Sequence, residues 1–154
     1  MVDIKGQTMG RFSVDVELAS NRDLVLAEVG RIRPDEVRRL TLRAVVDSGA
    51  ARLVIPEFAA RQLGLPTSGQ AGVRYADGRT AQRPMVDGVS LTWGGRSSVF
   101  NAIVDPDRDS ALLGAIVLED LDLVVDCTRQ TLAPRDPKQI ISEVESAREV
   151  HAEA

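Results

Sequence analysis

Between residues 11 and 18 apolar and polar positions alternate without a break. Phe12, Val14, Val16 and Leu18 fall on one side, and Ser13, Asp15 and Glu17 on the other. Period two marks a half-buried strand. Leu24 to Val29 form a second apolar run, expected to be its hairpin partner across Ser20-Asn21-Arg22-Asp23. Residues 31–36 carry Arg, Pro, Asp and Glu and read as a loop. Then Leu40, Leu42, Ala44 and Val46 alternate with Thr41, Arg43 and Val45, a strand that runs straight into Asp47.

The pattern shortens after that acid. Leu53-Val54-Ile55 is a brief apolar piece. Pro56 suits the first position of a helix and Glu57 its first turn. Phe58, Ala59 and Leu63 are expected on one face, and Gly64 followed by Pro66 ends the helix after about two turns. Residues 69–83 read as a polar hairpin arm, with Val73 and Tyr75 leading into Asp77-Gly78, a two-residue turn signal. Such an arm has little to pack into a core and is expected to protrude. Val89, Leu91 and Trp93 rise to Gly94-Gly95, and Val99, Asn101 and Ile103 return, a further hairpin.

The charged loop Asp105 to Asp109 precedes the apolar run Ala111-Leu112-Leu113-Gly114-Ala115-Ile116. Leu118 and Leu121 suggest a short helix. Leu123 to Cys127 is a strand, Thr128-Arg129-Gln130 a turn, and Leu132-Ala133 end the sheet at Pro134. Ile140, Val144 and Ala147 stand at helical spacing and predict a helix over 138–154. One domain is therefore expected over 1–135, with a helical tail at 136–154. Strand, glycine turn and short helix occur at 44–63 and again, weakly, at 111–121.

Composition narrows what this all-β pattern can do. The 154 residues suffice for one domain with its own core. A net charge of -4 argues against a chain that coats nucleic acid. Arg31, Arg33, Arg38, Arg39 and Arg43 are expected to be a solvated face. With Cys127 alone there is no internal disulfide, which fits a reducing compartment. No window approaches 18 apolar residues, so a cytoplasmic chain without membrane contact is expected. A lone His151, in the tail, leaves no His-based triad or zinc cage. Asp105, Asp107 and Asp109 lack the glycine and terminal glutamate of an EF-hand loop and read as solvated. Trp93 reads as hairpin packing, and Cys127 as an inert packed thiol. No cofactor or metal is expected.

The chemistry concentrates at Val45-Val46-Asp47-Ser48-Gly49-Ala50, where an acid closes an apolar run. A carboxylate there is costly to bury unless satisfied. As a tripeptide, Asp-Ser-Gly equally describes an ordinary turn or helix-cap acid. Together with Leu112-Leu113-Gly114 about 65 positions later, and a hairpin at 71–82 between them, it resembles the retropepsin-like aspartic proteases over roughly residues 10–134. Asp47-Ser48-Gly49-Ala50 matches that family's active-site motif, and Leu112-Leu113-Gly114 its hydrophobic-hydrophobic-Gly element. Leu118 to Asp126 resembles the helix-then-strand ending of cellular and bacterial members.

The resemblance implies a small closed β barrel with one or two short helices, acting as a homodimer on an extended peptide or protein substrate. Only one such motif occurs in the chain, so the second carboxylate would come from a partner. Asp47 would then be catalytic. Ser48 would bridge the two active-site loops, Gly49 would let the substrate backbone approach, and Ala50 would leave room beside it. Leu112, Leu113 and Gly114 would support the loop from beneath, and the hairpin bearing Tyr75, Asp77 and Gly78 would be the flap. Tyr75 there either touches substrate or packs locally. Many retroviral members carry Asp directly after Gly-Ala and Arg after the hydrophobic-hydrophobic-Gly. Ala51 and Ala115 hold those places here, which leaves out that dimer-steadying ion pair. A second function class is therefore a non-proteolytic dimerisation or peptide-binding module on the same fold.

Overall fold

The computed structural model describes residues 11–145. Nine strands dominate it: β1 (Arg11–Ser20), β2 (Arg39–Asp47), β3 (Leu53–Pro56), β4 (Thr67–Arg74), β5 (Thr80–Trp93), β6 (Arg96–Asp105), β7 (Ala111–Leu113), β8 (Leu123–Asp126) and β9 (Thr131–Pro134). Three short helices interrupt them: α1 (Asn21–Glu28), α2 (Glu57–Leu63) and α3 (Ala115–Asp120). The main sheet runs β1-β2-β7-β3-β6-β5-β4, and β1 also pairs with β5. That extra pairing, Glu17 opposite Thr92 to Ser20 opposite Val89, closes six strands into a barrel and leaves β4 outside the ring. The expected all-β barrel is thus present.

The period-two residues fill it. Val16 and Leu18 of β1, Leu42, Ala44 and Val46 of β2, and Val89 and Leu91 of β5 are buried in one core. On β6 the inward set is Phe100, Ala102 and Val104. Trp93 packs against the edge of this core, as hairpin packing requires. Gly94 and Gly95 both have positive φ, 58° and 80°, the backbone that a two-residue hairpin turn demands.

β7 holds the central place. It pairs parallel to β2, Val45 with Leu112 and Val46 with Leu113. It pairs antiparallel to β3, Leu53 with Leu113 and Val54 with Leu112. The loop from Asp47 to Arg52 therefore passes over the end of a strand that enters the sheet much later in the chain.

Five expectations change. Leu24 to Val29 do not form a strand; Leu24 to Glu28 belong to α1 and Val29 caps its end, while at the other end Ser20 accepts from the Asp23 N–H at 3.2 Å as an N-cap. A Ser-x-x-Asp cap outweighs an apolar run whose Val25 and Val29 end up exposed. In α2, Ala59, Ala60 and Leu63 are the buried face, and Phe58 points out. The arm's turn has three loop residues, Ala76, Asp77 and Gly78, because the Gly78 N–H bonds to the Tyr75 carbonyl and Gly78 takes φ 91°. Cys127 is exposed, one residue past β8, rather than packed in a strand.

The fifth change is the tail. Residues 138–145 contain no helical turn, and 146–154 lie outside the described residues. Tertiary partners capture the backbone groups that a helix would pair internally. Arg96 donates to the carbonyls of Asp136 and Gln139, Arg135 to that of Ile141, and the Ile141 N–H bonds to Asp122 Oδ2. No helix among the described residues is long and apolar enough to cross a membrane.

Candidate active site

Asp47 stands where β2 ends and the chain turns, with the Ala50 N–H closing onto its carbonyl at 3.1 Å. Its carboxylate is fixed at both oxygens. The Gly49 N–H donates to Oδ1 at 3.0 Å, and Arg11 lies 2.9 Å from Oδ2. The β1–β2 register makes Arg11 and Asp47 direct partners, so the ion pair joins the ends of adjacent strands. The Asp47 side chain is 16% exposed, enough to present one edge to solvent. Ser48 is exposed and makes no hydrogen bond among the described residues.

Three backbone bonds tie the next residues to the segment after β7. The N–H groups of Gly114, Ala115 and Ile116 donate to the carbonyls of Arg52, Ala50 and Ala51 at 3.1, 2.8 and 3.0 Å. Gly114 is where the two segments press closest: a Cβ there would sit 2.5 Å from the Arg52 carbonyl oxygen and 2.6 Å from its nitrogen. Leu113 is fully buried in the core, while Leu112 takes the opposite side and lines a cleft. The three members of the Leu-Leu-Gly triplet thus serve differently: Leu113 fills the core, Leu112 walls the cleft, and Gly114 permits the close approach.

The cleft measures about 920 Å³. Asp47, Gly49 and Ala50 line one side, and the β4–β5 arm, from Ala71 to Asp77, lines the other. Tyr75 is anchored beside the turn at the arm's tip. Its hydroxyl donates to Asp105 Oδ2 at 3.2 Å and accepts from Arg83 Nε at 3.1 Å. The Arg79 guanidinium stacks 4.8 Å from its ring centre. Local packing therefore accounts for Tyr75, while its position also puts it on the cleft. Asp77 pairs with Arg79 at 2.8 Å, and this partner holds its carboxyl below the usual range through the Arg79 N–H first and its side chain second. Gly78 stays open, with nothing near the place of a Cβ.

Asp105 is not part of a solvated loop. It ends β6, is 4% exposed, and accepts from Tyr75 and from the Asp107 N–H at 3.0 Å. The alternating acids 105, 107 and 109 gave no sign of which one closes a strand. Arg108 is half-buried beside it, and burial pushes its pKa down against the opposing pull of Asp105. Among the described residues no cluster of three or more His, Cys, Asp or Glu side chains could hold a metal ion.

The sequence motif located Asp47 and its loop. It did not point to Arg11, Asp105 or Arg108. The one signal for Arg11 was its place at the start of an alternating strand, and turning that into a contact needs the register.

Three comparisons bear on this geometry. A family model described as "Aspartyl protease" matches residues 32–123. The fold is similar to that of EIAV protease, solved in complex with the inhibitor HBY-793, with a TM-score of 0.53 and 17% identity. That match covers 72% of this chain and 88% of the other. No curated protein matches the chain.

Proposed function

The chain belongs to the aspartyl protease family, and from that premise we propose that it is an endopeptidase built from two copies, each supplying Asp47. The single observation that carries this is the fixed carboxylate of Asp47, held by the Gly49 N–H on one oxygen and open to a cleft lined by the β4–β5 arm. One chain offers one such carboxylate, and general acid–base hydrolysis without a metal requires two. Two carboxylates about 3 Å apart cannot both ionise, so they share a proton and titrate as a unit. One takes a proton from the attacking water while the other gives its proton to the peptide carbonyl oxygen. The resulting diol collapses as a proton passes to the amide nitrogen and the C–N bond breaks.

In this reading the supporting residues have distinct parts. Ser48, exposed and unbonded within its own chain among the described residues, bridges to the second copy's loop. Gly49 and Ala50 leave the substrate backbone room. Leu112, Leu113 and Gly114 hold the loop from below. The arm with Tyr75, Asp77 and Gly78 closes over an extended peptide and excludes water. The guanidinium of Arg11 now occupies Oδ2, so the second carboxylate displaces it when the dyad forms.

The test is wild type against Asp47→Asn on a peptide library between pH 4 and 7. Cleavage is expected from wild type and at least a thousandfold less from Asp47→Asn, with the melting temperature within a few degrees of wild type. Equal cleavage by both would remove Asp47 from catalysis. Ala51 and Ala115 favour one other reading, a binding module without turnover; it predicts that both proteins bind an extended peptide and that neither cuts it.

A further inference from the structure

Arginines crowd the cleft. Arg11, Arg52, Arg74, Arg79 and Arg108 line it, against the carboxylates of Asp47, Asp77 and Asp105. The whole chain has a net charge of -4, so this surface runs opposite in sign to the molecule that carries it. Two of the arginines are spent locally, Arg11 on Asp47 at 2.9 Å and Arg79 on Asp77 at 2.8 Å. Asp105 is engaged from outside the cleft lining by Arg83, at 3.9 Å, and by the Tyr75 hydroxyl.

Three guanidiniums have no carboxylate within ion-pair distance among the described residues, though Asp105, Asp109 and Asp47 act on Arg108 from farther away. Arg52 is exposed on the active-site loop, five positions after Asp47. Arg108 bonds only to carbonyls, those of Ser110 at 2.9 Å and Ala111 at 3.5 Å. Burial lowers its pKa, the mark of a cation held where water compensates it poorly. Arg74 adds a third charge on the β4–β5 arm. With five arginines against three carboxylates the cleft lining is net positive, and a concave surface of net charge focuses its field on whatever enters. Guanidinium groups match carboxylates in fork geometry, with charge-assisted bonds on both oxygens.

We infer that the cleft selects acidic peptides, with Asp or Glu side chains beside the bond to be cut taken by Arg52 and Arg108. This rests on the cleft being the substrate site, as proposed above, and it adds a substrate class that neither the fold nor the family specifies. Arg74 contributes from the rim. A second copy would double the positive charge around the shared site.

Matched peptides test it. Three sets carry Glu, Gln or Lys at the positions flanking a common core and are compared for cleavage by wild type and by Arg52→Glu. Wild type is expected to favour the Glu set over the Lys set by tenfold or more in kcat/KM, with the ratio shrinking between 50 and 500 mM salt as exposed charges are screened. Arg52→Glu is expected to cut that preference about three- to tenfold. Equal or better cleavage of the Lys set by wild type overturns the inference. If no peptide is cut, proteolysis fails separately, and binding decides: fluorescence anisotropy on Asp47→Asn should show tighter binding of the Glu set, weakened when Arg52→Glu is added. Equal binding of the Glu and Lys sets, or binding of none, overturns the inference even then.

Discussion

At the scale of single residues, Gly114 shows how a backbone contact dictates identity. Its φ of -86° suits any residue, so no conformational need explains it. Space does: a methyl group would meet the Arg52 backbone at 2.5 Å. Gly114→Ala is therefore expected to cost about 2–3 kcal/mol by forcing β7 and the Asp47–Arg52 loop apart, read as a lower urea midpoint. Gly78→Ala makes the contrast. Nothing stands within 4 Å of its Cβ position, but φ is 91°, so only about 1 kcal/mol of backbone strain is expected. Asp47 and Gly114 were legible in the sequence through the Asp-Ser-Gly-Ala and Leu-Leu-Gly motifs that carry the family resemblance. Asp105 was not. Whether one of three alternating acids closes a strand or lies in water depends on Tyr75 and Arg83 arriving from another hairpin.

Secondary-structure elements obey a different balance, and α1 illustrates it. Asp23 sits in its first turn, is 4% exposed, and receives Arg38 through Nε at 2.8 Å, Nη2 at 3.0 Å and its backbone N–H at 3.0 Å. These bonds lock α1 to the approach of β2. The Arg38 side chain, foremost, lowers the Asp23 pKa from 3.8 to about 2, against the opposing effect of burial. Between those values the unfolded chain binds the proton that the folded one refuses, so stability rises with pH there. The contribution is complete above about pH 4 and lost as pH falls towards 2. Asp23→Asn should remove on the order of 1–2 kcal/mol at pH 5 and close the gap to wild type by pH 2, measured by urea titrations across that range. The helix itself was misread because Leu24 to Ala27 are all apolar, which suits a strand or a helix equally. The Ser20 cap decides. Over 138–145 the expected tail helix is absent for the converse reason: Ile140 and Val144 have the right spacing, but Arg96, Arg135 and Asp122 offer the backbone of Gln139 and Ile141 better partners.

For the whole molecule, the proposed catalysis is a property of two chains. Specific activity should therefore rise with protein concentration until the dimer saturates, and sedimentation velocity should show the dimer over the same range. Activity that stays proportional to concentration while the protein sediments as a monomer would refute the shared dyad. The alternation along β1, β2 and β5 made strands with one core face foreseeable, and the family resemblance implied their closure into a barrel. Its order was not foreseeable, because pairing partners lie far apart in the chain. β7 is the extreme case, wedged between β2 and β3 though synthesised after β6. On a ribosome, then, everything up to residue 110 can emerge while β2 and β3 still show bare edges to each other. The loop after Asp47 gains its three backbone bonds only once residues 114–116 have emerged, so a nascent chain that stops short of them holds Ala50, Ala51 and Arg52 without those partners. A truncated translation product is for the same reason left with sticky strand edges, a substrate for quality control rather than a stray hydrolase.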